Sequence, residues 1–502
     1  MLGFERRVRS SSLRELGALG LVGMESMLDS KQMERVSEIR RRWNFFEGYH
    51  WEEIDNLDKP EITTNYCRAF CNKFVAFELG KAFNFKLGTQ ENVVVTNDKR
   101  TLFKFLEDVW VDNNQYQFAT EMGLMKSVTG DAWVRVYYIP VEDLHDPFGQ
   151  YPNGRIVISL VSTGNVFPEY DPHNIDVLRK VTVMYPIEKV KKTLIGKESK
   201  ERLMFRQVWT NDEIVEFEGE KEVARYANKY GTIPFVQIKN VSIPGRESGE
   251  SDLEDIISLN VEYNMKCSDI SEILDYHSAP VTVVYGAKIG SIEKGANKVW
   301  GGLAKDAKIE NLTMQTDLGS SNAYIANLKL SMCEVAGIPE TVLGGAQAIS
   351  NTSGVALQFV NAPLIERTNV KKALTESGLE TVNRLVLLIA LTEGVITNPN
   401  GVPAREFFYT EVTVPDNLPK DMLLLVQQLQ AEMALGIEDR EGAMKRMGKE
   451  NVELRLQEID KDRAANPEIY MGSRLNKNGD KAELNSGFLN GETKTQKPNE
   501  QK

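Results

Sequence analysis

The 502-residue sequence contains few of the side chains that form disulfides or bind structural metals, with only four cysteines and four histidines. Cys67 and Cys71 lie one turn apart in a predicted helix, where two thiols would supply half of a metal site. Because no matching cysteine or histidine pair lies nearby, we interpret both as buried free thiols. The cysteines form no disulfide framework, which indicates a reducing, cytoplasmic environment.

Catalytic signatures are also missing. The sequence has no phosphate-binding G-x-x-x-x-G-K-[ST] loop and no H-E-x-x-H, G-x-S-x-G or G-x-G-x-x-G motif. The histidines are scattered through separate segments, at His50, His145, His173 and His277. Acidic side chains are plentiful, but their spacing singles out no pair for acid–base chemistry. We therefore predict no catalytic residue, no metal and no cofactor; a metal-dependent nuclease is the alternative from the enzyme class.

Long apolar runs and excess positive charge are absent as well. The longest strongly apolar run, residues 385–391, is far shorter than the roughly 20 residues that cross a membrane. The first residues imitate a signal peptide, but Glu15 interrupts the charge pattern and glycines break the apolar run. The net charge is −12, from 60 basic and 72 acidic residues, so the basic footprint of ordinary nucleic-acid binding is lacking. These features predict a soluble protein with no membrane partner.

The residues that are present predict an α+β fold that is mainly helical. Aromatic residues at helical spacing predict helices before residue 80, and two more helices are predicted before residue 133. From there to about residue 218, apolar and polar residues alternate as in β-strands. We assign residues 31–250 to this α+β body and residues 1–30 to a flexible basic arm. The chain becomes polar and poor in aliphatic residues near its end, so residues 466–502 are predicted to be a disordered tail.

A long helix predicted over residues 252–278 has acids on one face and apolar residues on the other. At about 100° per residue, Glu262 and Asp269 fall close to Asp255. The opposite stripe contains Leu253, Ile256, Ile257, Asn260, Tyr263, Cys267, Ile270 and Leu274. A single lysine, Lys266, stands against seven acids, which are Asp252, Glu254, Asp255, Glu262, Asp269, Glu272 and Asp275. The acidic face is either simply solvated or turned toward something that must not adhere to it.

A small α/β excursion separates this helix from a second one. Residues 279–286 alternate like a strand, residues 307–315 supply a candidate partner, and helix resumes over 320–337. The two helices must run antiparallel if they pair. A nearly uncharged segment then leads into a helix over residues 353–393, expected to bend or break near Pro363 and Gly378. A strand over residues 405–414 and helices up to residue 465 follow.

Several motifs, in order, resemble the portal proteins of tailed double-stranded-DNA bacteriophages. The segments RRRWNFFEGYHW and ITTNYCRAFCNKFVAFELGKAFNFKLG resemble the opening W-x-x-Y-x-G-x-H and T-N-Y…G-x-P motifs of that family. VTGDAWVRVYY, STGNVFPEYD and YGTIPFVQIKN continue the similarity, GESDLEDIISLNVEYNMKCSDIS is similar to the G-x-S-D-L-E helix, and NTSGVALQF is similar to the S-G-x-A-L stretch. The resemblance spans about residues 40–400 and is closest to phages with long non-contractile tails. Ala82 stands where the family commonly has proline.

The resemblance implies a portal fold and a ring, twelvefold in the virion, at one vertex of the capsid. A separate terminase motor would pump double-stranded DNA through the channel of the ring, and the DNA would later leave by the same route. The implied partners are further copies of the chain, DNA, the terminase large subunit, the head–tail adaptor, and the major capsid and scaffolding proteins. The implied location is the virion, after assembly in the host cytoplasm.

The same resemblance implies that the chain is divided into named parts. They are a wing (31–250), a first stem helix (251–278), a clip (279–319), a second stem helix (320–337), a tunnel loop (338–352), a long helix with a wing strand (353–415) and a helical crown (416–465). If the chain forms no channel, a helical scaffold or adaptor is the alternative.

Three groups of residues become candidate functional residues. The acids Asp255, Glu262 and Asp269 would line the channel and repel DNA, unless their face points outward. Tunnel-loop residues would form short-lived hydrogen bonds with phosphates, unless the segment is a plain linker; they are Gly344, Gly345, Gln347, Ser350, Asn351 and Thr352. Clip residues would dock the terminase and the adaptor, unless they are simply solvated; they are Lys288, Lys294, Lys298 and Trp300.

Overall fold

The computed structural model of the chain describes residues 27–52, 60–88, 90–96, 98–192, 198–278, 281–285, 308–312, 318–344, 359–399, 401–416, 422–448 and 452–466. The chain divides after Leu418 into two compact units. The predicted basic arm and the predicted disordered tail fall almost entirely outside these ranges. The fold is a mixture of α-helices and β-sheets, in agreement with the α+β prediction.

The first unit contains the predicted body and the long helices. Its α-helices are α1 (Ser30–Glu47), α2 (Tyr66–Leu79), α3 (Leu102–Asp112), α4 (Gln115–Thr129), α5 (Ile256–Ser278), α6 (Leu318–Ala336), α7 (Ala362–Thr392) and α8 (Ala404–Phe407). Its strands are β1 (Asn84–Leu87), β2 (Asp131–Ile139), β3 (Arg155–Val161), β4 (Val166–Asp171), β5 (Asn174–Lys192), β6 (Glu198–Trp209), β7 (Glu213–Glu218), β8 (Lys221–Ala227), β9 (Phe235–Lys239), β10 (Val281–Tyr285), β11 (Lys308–Leu312) and β12 (Thr410–Thr413). None of the described helices combines the length and apolar character needed to cross a membrane.

The first helices begin and end at local sequence signals. The side chain of Asp29 accepts the backbone N–H of Gln32, and the side chain of Gln32 accepts the backbone N–H of Asp29, so that α1 starts with a capping box. Gly48 ends α1 at φ +101°. Asn65, the N-cap of α2, accepts the backbone N–H of Arg68. Both helix starts are therefore set by short-range hydrogen bonds.

The main core lies between α3, α4 and α7 and the three-stranded antiparallel sheet β3-β2-β9. Residues alternate along β2, so that Ala132 and Val134 enter this core while Trp133 enters a second one. Trp110 of α3 is buried, and its Nε1–H donates to Oδ1 of Asn383 on α7 at 2.8 Å. That bond satisfies the polar atom of a buried indole. The alternation predicted from Trp133 onward is confirmed.

A second sheet has five antiparallel strands in the order β4-β5-β6-β7-β8. Strands β5 and β6 form its longest ladder, and Trp209 of β6 is buried in the core that also holds Trp133. The sequence pattern did not predict β4, β8 or β9. Strand β8 is exposed along nearly its whole length and shows no apolar alternation, while β4 contains Pro168, which usually argues against a strand.

Helix α7 runs without interruption through Gly378, so the predicted break there is wrong. Pro363 lies in the first turn, where a missing N–H breaks no helical hydrogen bond. Gly378 provides space rather than flexibility, because a Cβ at this position would lie 2.6 Å from Cγ1 of Ile238 on β9. The helix therefore packs directly on the sheet at this point.

Replacing Gly378 by alanine should lower the stability of the first unit. The added methyl group would overlap the buried Ile238 side chain, and overpacking costs about 1–3 kcal/mol, against roughly 1 kcal/mol gained in helix propensity. We expect a lower Tm for Gly378→Ala in thermal unfolding. Ser377→Ala, at the exposed neighbouring position, should leave the Tm unchanged or slightly higher. Equal Tm values for the two variants would contradict the contact between α7 and β9.

The strand predicted over residues 405–414 is wrong in its first half. Residues Ala404–Phe407 form the short helix α8, and β12 covers only Thr410–Thr413, where it pairs antiparallel with β1. Pro403 occupies the N-cap of α8, and Phe407 is buried in the main core. Because the turn that begins at Pro403 buries the Phe407 ring, these residues form a helix although their sequence pattern is typical of a strand.

Helices α5 and α6 run antiparallel, as predicted. Ile256 at the start of α5 shares a core with Met332 near the end of α6. Between the two helices, β10 pairs antiparallel with β11, with Val283 opposite Glu310. The predicted excursion between paired helices is therefore confirmed for these two strands.

The second unit is helical, as predicted. Its described helices are α9 (Met422–Ala434), α10 (Arg440–Arg446) and α11 (Val452–Ala465). Arg446 of α10 pairs with Glu432 of α9, and Arg440 of α10 lies 3.0 Å from Oδ1 of Asp460 on α11. Ion pairs between side chains therefore connect all three helices.

Candidate functional site

The predicted acidic row has a lysine in its middle. Glu262 and Asp269 are half-buried on α5, whereas Asp255 lies in the exposed turn just before the helix. Nζ of Lys266 lies 3.1 Å from Oδ2 of Asp269 and 3.8 Å from Oε1 of Glu262. The hydroxyl of Tyr324 on α6 donates to Oε1 of Glu262 at 3.4 Å. Glu262 therefore lies beside α6, and Lys266 neutralises part of the charge of the row.

Two of the seven acids predicted on this helix form contacts with other parts of the chain instead. Helix α5 begins at Ile256, four residues later than predicted. Asp252 is buried, and Glu254 forms an ion pair with Arg42 of α1. Five acids remain on the turn and helix, against Lys266, and they are Asp255, Glu262, Asp269, Glu272 and Asp275. The surface of the helix is still acidic, but less so than the sequence suggests.

Asp252 is the centre of a buried group of charges at the start of α5. Its Oδ2 lies 2.6 Å from Nζ of Lys371 on α7 and accepts a hydrogen bond from Oγ of Ser127 at 2.5 Å. Its Oδ1 lies 3.3 Å from Nη2 of Arg367, and Nζ of Lys371 lies 4.4 Å from the ring centroid of Phe74. Burial raises the pKa of Asp252, but the attraction of Lys371 and Arg367 outweighs burial and holds the pKa below its usual range. Asp252 is therefore ionised at neutral pH.

A second buried ion pair lies one turn further along α7. Nζ of Lys126 on α4 pairs with Oε1 of Glu78 on α2 and donates to Oγ1 of Thr375 at 2.6 Å. Thr375 donates to Oε1 of Glu78 at 2.7 Å. Burial lowers the pKa of Lys126, and the attraction of Glu78 opposes that shift. The two pairs form what we call the ion cluster, which consists of Glu78, Lys126, Asp252, Arg367 and Lys371. It joins α2, α4 and α7 to the start of α5.

The buried face of α5 binds the extended segment that precedes α2. Asn260, Asn264 and Ser268 follow one another at four-residue intervals and are all buried. Asn260 accepts the N–H of Tyr66 at 3.1 Å and donates to the carbonyl of Thr64 at 2.9 Å. Asn264 accepts the N–H of Thr64 at 2.9 Å, and Ser268 bonds the same segment. Side chains of a helix thus satisfy backbone groups that a neighbouring strand would otherwise satisfy.

The predicted apolar stripe of α5 is correct only at its start. Leu253, Ile256 and Ile257 are buried, but Leu274 is 50% exposed. Asn260 belongs to the predicted stripe but forms hydrogen bonds with the backbone, and the sequence pattern did not predict the same role for Asn264 and Ser268. The four-residue spacing of Asn260, Asn264 and Ser268 indicates this role, because it places three hydrogen-bonding side chains on one face of the helix.

His50 is a structural residue. Its Nδ1 lies 2.7 Å from Nδ2 of Asn264, and its Nε2 lies 2.8 Å from the carbonyl oxygen of Phe45. Burial lowers the pKa of His50. A neutral imidazole that donates from Nε2 and accepts at Nδ1 satisfies both contacts.

The corner between α4 and β2 holds the segment that leads into α5. Gly130 and Gly249 approach so closely that a Cβ on either would lie 2.4 Å from the carbonyl oxygen of the other. Oδ1 of Asp131 accepts the N–H of Gly249 at 2.8 Å and Nε2–H of Gln237 at 3.0 Å. Burial raises the pKa of Asp131 to about 6. This corner determines where the chain enters the turn before α5.

Stability should depend on pH through Asp131. Its pKa of about 6 lies above the ordinary value of 3.8, so the folded chain binds this proton more tightly than the unfolded chain. The resulting stabilisation is complete below about pH 4 and is lost as the pH rises through 6. From about pH 5 to pH 7.5, the wild-type chain should lose roughly 1 kcal/mol of unfolding free energy relative to Asp131→Asn, which does not titrate. Urea unfolding at both pH values measures the difference, and parallel pH profiles would be inconsistent with it.

The structure describes one of the predicted tunnel-loop residues, Gly344. It ends the short 3-10 helix Glu340–Leu343 at φ +93°, and a Cβ there would meet no atom of the described residues within 4 Å. The remaining predicted tunnel-loop residues lie outside the described ranges, and they are Gly345, Gln347, Ser350, Asn351 and Thr352. The same holds for the predicted clip residues Lys288, Lys294, Lys298 and Trp300.

Cys67 and Cys71 are buried free thiols, as predicted. Burial raises the pKa of Cys67 to about 12 and also raises that of Cys71. Neither thiol is therefore ready to bind a metal as a thiolate. Within the part of the chain that the structure describes, no three His, Cys, Asp or Glu side chains are grouped as a metal site requires.

Comparisons with known proteins identify one family. The sequence profile of "Phage portal protein, SPP1 Gp6-like" matches residues 29–468. No curated protein sequence matches the chain. Among solved structures, the chain is similar to one in the "Virion of native gene transfer agent (GTA) particle", with 10% identity and a TM-score of 0.40, over 82% of this chain and 93% of that chain.

Two other similar structures are necks of the same kind of particle. For the "Neck of empty GTA particle computed with C6 symmetry", the identity is 11%, the TM-score 0.40, and the coverage 76% of this chain and 88% of that chain. For the "Neck of native GTA particle computed with C12 symmetry", the identity is 11%, the TM-score 0.37, and the coverage 76% and 89%.

The family match includes the whole of the α+β body, α5, α6, α7 and the ion cluster. It confirms the resemblance seen in the sequence motifs. The family is structural and non-enzymatic, so the prediction that the chain is not an enzyme is also confirmed. The chain belongs to the SPP1 Gp6-like family of phage portal proteins.

Proposed function

We propose that the chain assembles into a ring, with twelve copies in the virion, and forms the channel at one vertex of a phage capsid. Double-stranded DNA is packaged through this channel by a terminase motor and later leaves through it. The observation that carries the proposal is the portal-family match over residues 29–468. The acidic surface of α5 supports it, because a channel for a polyanion needs a wall to which DNA does not adhere.

In this proposal α5 and α6 form the stem of the channel. Residues 279–319 form the clip, residues 31–250 and β12 form the wing, and residues 416–465 form the crown. The ion cluster supports this division, since it fastens the start of α5 to α2, α4 and α7 through fully buried charges. A stem that carries passing DNA needs such a rigid base.

The acidic row faces the lumen of the ring. DNA carries one negative charge per about 1.7 Å of its axis, so an acidic wall repels it at every position along the channel. The interaction energy between DNA and wall therefore changes little as the DNA moves. Lys266 is the cation that would oppose this effect. Because Glu262 and Asp269 hold its ammonium group at 3.8 and 3.1 Å, Lys266 is less available to a phosphate.

The tunnel loop, residues 338–352, makes transient contacts with the DNA. Gly344 supports this role, because it has a left-handed backbone that other residues rarely adopt and no described residue crowds its Cα. Beyond it, Gln347, Asn351 and Thr352 form short-lived hydrogen bonds with phosphates, with Gly345 and Ser350 between them. Weak, exchangeable contacts are what sliding requires.

The clip docks the packaging and tail machinery. The terminase large subunit binds it first and the head–tail adaptor later, through Lys288, Lys294, Lys298 and Trp300. Major capsid and scaffolding proteins surround the wing during assembly in the host cytoplasm, and the mature location is the virion.

Negative-stain imaging and native mass spectrometry of the purified full-length chain test the ring. Closed rings with a central hole support the proposal. Monomers or open filaments would refute it and favour a scaffold or adaptor without a channel. A metal-dependent nuclease assay on the same sample should show no turnover.

A further inference from the structure

The described part of the second unit has a very small core of its own. In its described part, the buried apolar residues are Leu429, Ala443 and Val452. A core this small contributes little stability by itself. All four cysteines lie in the first unit, so no disulfide supplies the missing stability. Apolar contacts from outside these described residues would therefore add to the stability of the unit.

A hydrogen-bonded turn joins α9 to α10 across residues 433–437, and we call it the apolar turn. Leu435 is 75% exposed and Ile437 is 74% exposed. The N–H of Ile437 donates to the carbonyl of Glu432 at 3.0 Å, and Gly436 takes φ +71° to allow this bond. A fixed turn loses little conformational entropy when it binds, so its two outward aliphatic side chains form a pre-organised contact surface.

A complementary surface lies on α11 of the same unit. Val452, Leu456 and Ile459 follow one another at helical spacing, and we call them the α11 stripe. Val452 is buried, while Leu456 and Ile459 are only half-buried. Arg455 borders the stripe, is exposed, and has no ion-pair partner among the described residues. The stripe thus combines open apolar area with an exposed positive charge.

We propose that the apolar turn of one copy packs on the α11 stripe of the next copy around the ring. Leu435 and Ile437 cover the open part of the stripe, and the exposed Asp439 beside the turn lies near Arg455. The contact is heterologous, so it repeats and closes with the ring. This inference rests on the ring of the proposed function and names the surface that closes it at the crown.

The C-terminal tail is another segment of the chain that could cover the turn. Residues 467–502 are rich in Asn, Lys, Glu and Gly and contain few aliphatic side chains. Such a segment offers little apolar area for Leu435 and Ile437. A neighbouring copy is the better match, because it brings both apolar area and the opposite charge.

Cysteine pairs test the geometry directly. Full-length chain carrying Leu435→Cys and Leu456→Cys, oxidised as assembled rings, should give a ladder of covalent oligomers on non-reducing gels. Each single variant should remain monomeric on the same gel, and the background should be low because three of the four native cysteines are buried. A monomer band alone, from a double variant that forms rings, would overturn the inference.

A second experiment distinguishes between a neighbouring copy and the C-terminal tail as the partner of the apolar turn. Leu435→Ser with Ile437→Ser should raise the concentration at which rings dissociate in native mass spectrometry by at least about tenfold. The matched control, Phe148→Ser, changes a residue that is 83% exposed in the first unit and should leave the rings unchanged. Absence of rings from the wild-type chain would instead defeat the proposed function. If the double serine variant still forms rings, but a chain truncated after Asn466 does not, the tail and not a neighbouring copy covers the apolar turn.

Discussion

A chain in which methionine replaces Lys371 is expected to lose about 3–5 kcal/mol of unfolding free energy, because removing one partner of a buried ion pair leaves the other charge uncompensated. Asp252, at 2.6 Å from Nζ of Lys371, would keep Ser127 and Arg367, of which Arg367 is partly exposed. Relief of the repulsion between Lys371 and Lys126 offsets only a small part of this loss. Chemical denaturation of the first unit measures the effect.

Two further variants isolate the buried pair. Lys372→Met changes the next residue, whose partner Asp416 is 61% exposed, and should cost about 1 kcal/mol or less. Adding Asp252→Asn to Lys371→Met removes the stranded charge and should recover part of the loss. If Lys371→Met were no more destabilising than Lys372→Met, the ion cluster would not fasten α5 to α7.

Charge reversal at two positions of the acidic row, Asp255→Lys with Glu262→Lys, is expected to leave ring assembly intact and to slow DNA packaging by about two- to tenfold. Assembly should survive because Asp255 is exposed and the Glu262 side chain is 37% exposed, so neither substitution disturbs a buried contact. The new lysines, together with Lys266, would attract phosphates and hold the DNA at preferred positions. In vitro packaging rates measure the change, and added salt should reduce it.

The matched control makes the same change of charge elsewhere. Glu142→Lys with Glu220→Lys places two lysines on exposed turns of the first unit and should leave the packaging rate unchanged. Packaging at the wild-type rate by the row variant would mean that the acids do not face the DNA.

The sequence predicts those features that depend on neighbouring residues. Asn65 is recognisable as the cap of α2, Gly48 as the end of α1, and the antiparallel α5–α6 pair follows from the short excursion between them. The acidic row is also predictable, because the seven-residue spacing of Asp255, Glu262 and Asp269 is a property of any helix. Each of these inferences uses only local geometry.

Features that depend on distant partners are not predictable in this way. Asp252 belongs to the acidic helix in the sequence, but its partner Lys371 lies 119 residues away and draws it into the interior. Gly378 looks like a helix breaker until Ile238 is seen to occupy the space beside it. Asn260 looks like an interruption of an apolar stripe until the segment before α2 is placed against it. In all three cases a tertiary contact gives the residue a structural role that its type and its neighbours in the sequence do not indicate.

The most direct test of the account is a reconstruction of the assembled ring by cryo-electron microscopy. We predict a central channel wide enough for duplex DNA, bordered by α5 and with the carboxylates of Asp255, Glu262 and Asp269 turned toward the axis. A ring in which these carboxylates face outward, or an assembly without a channel, would contradict the claim that the acidic row lines the path of DNA.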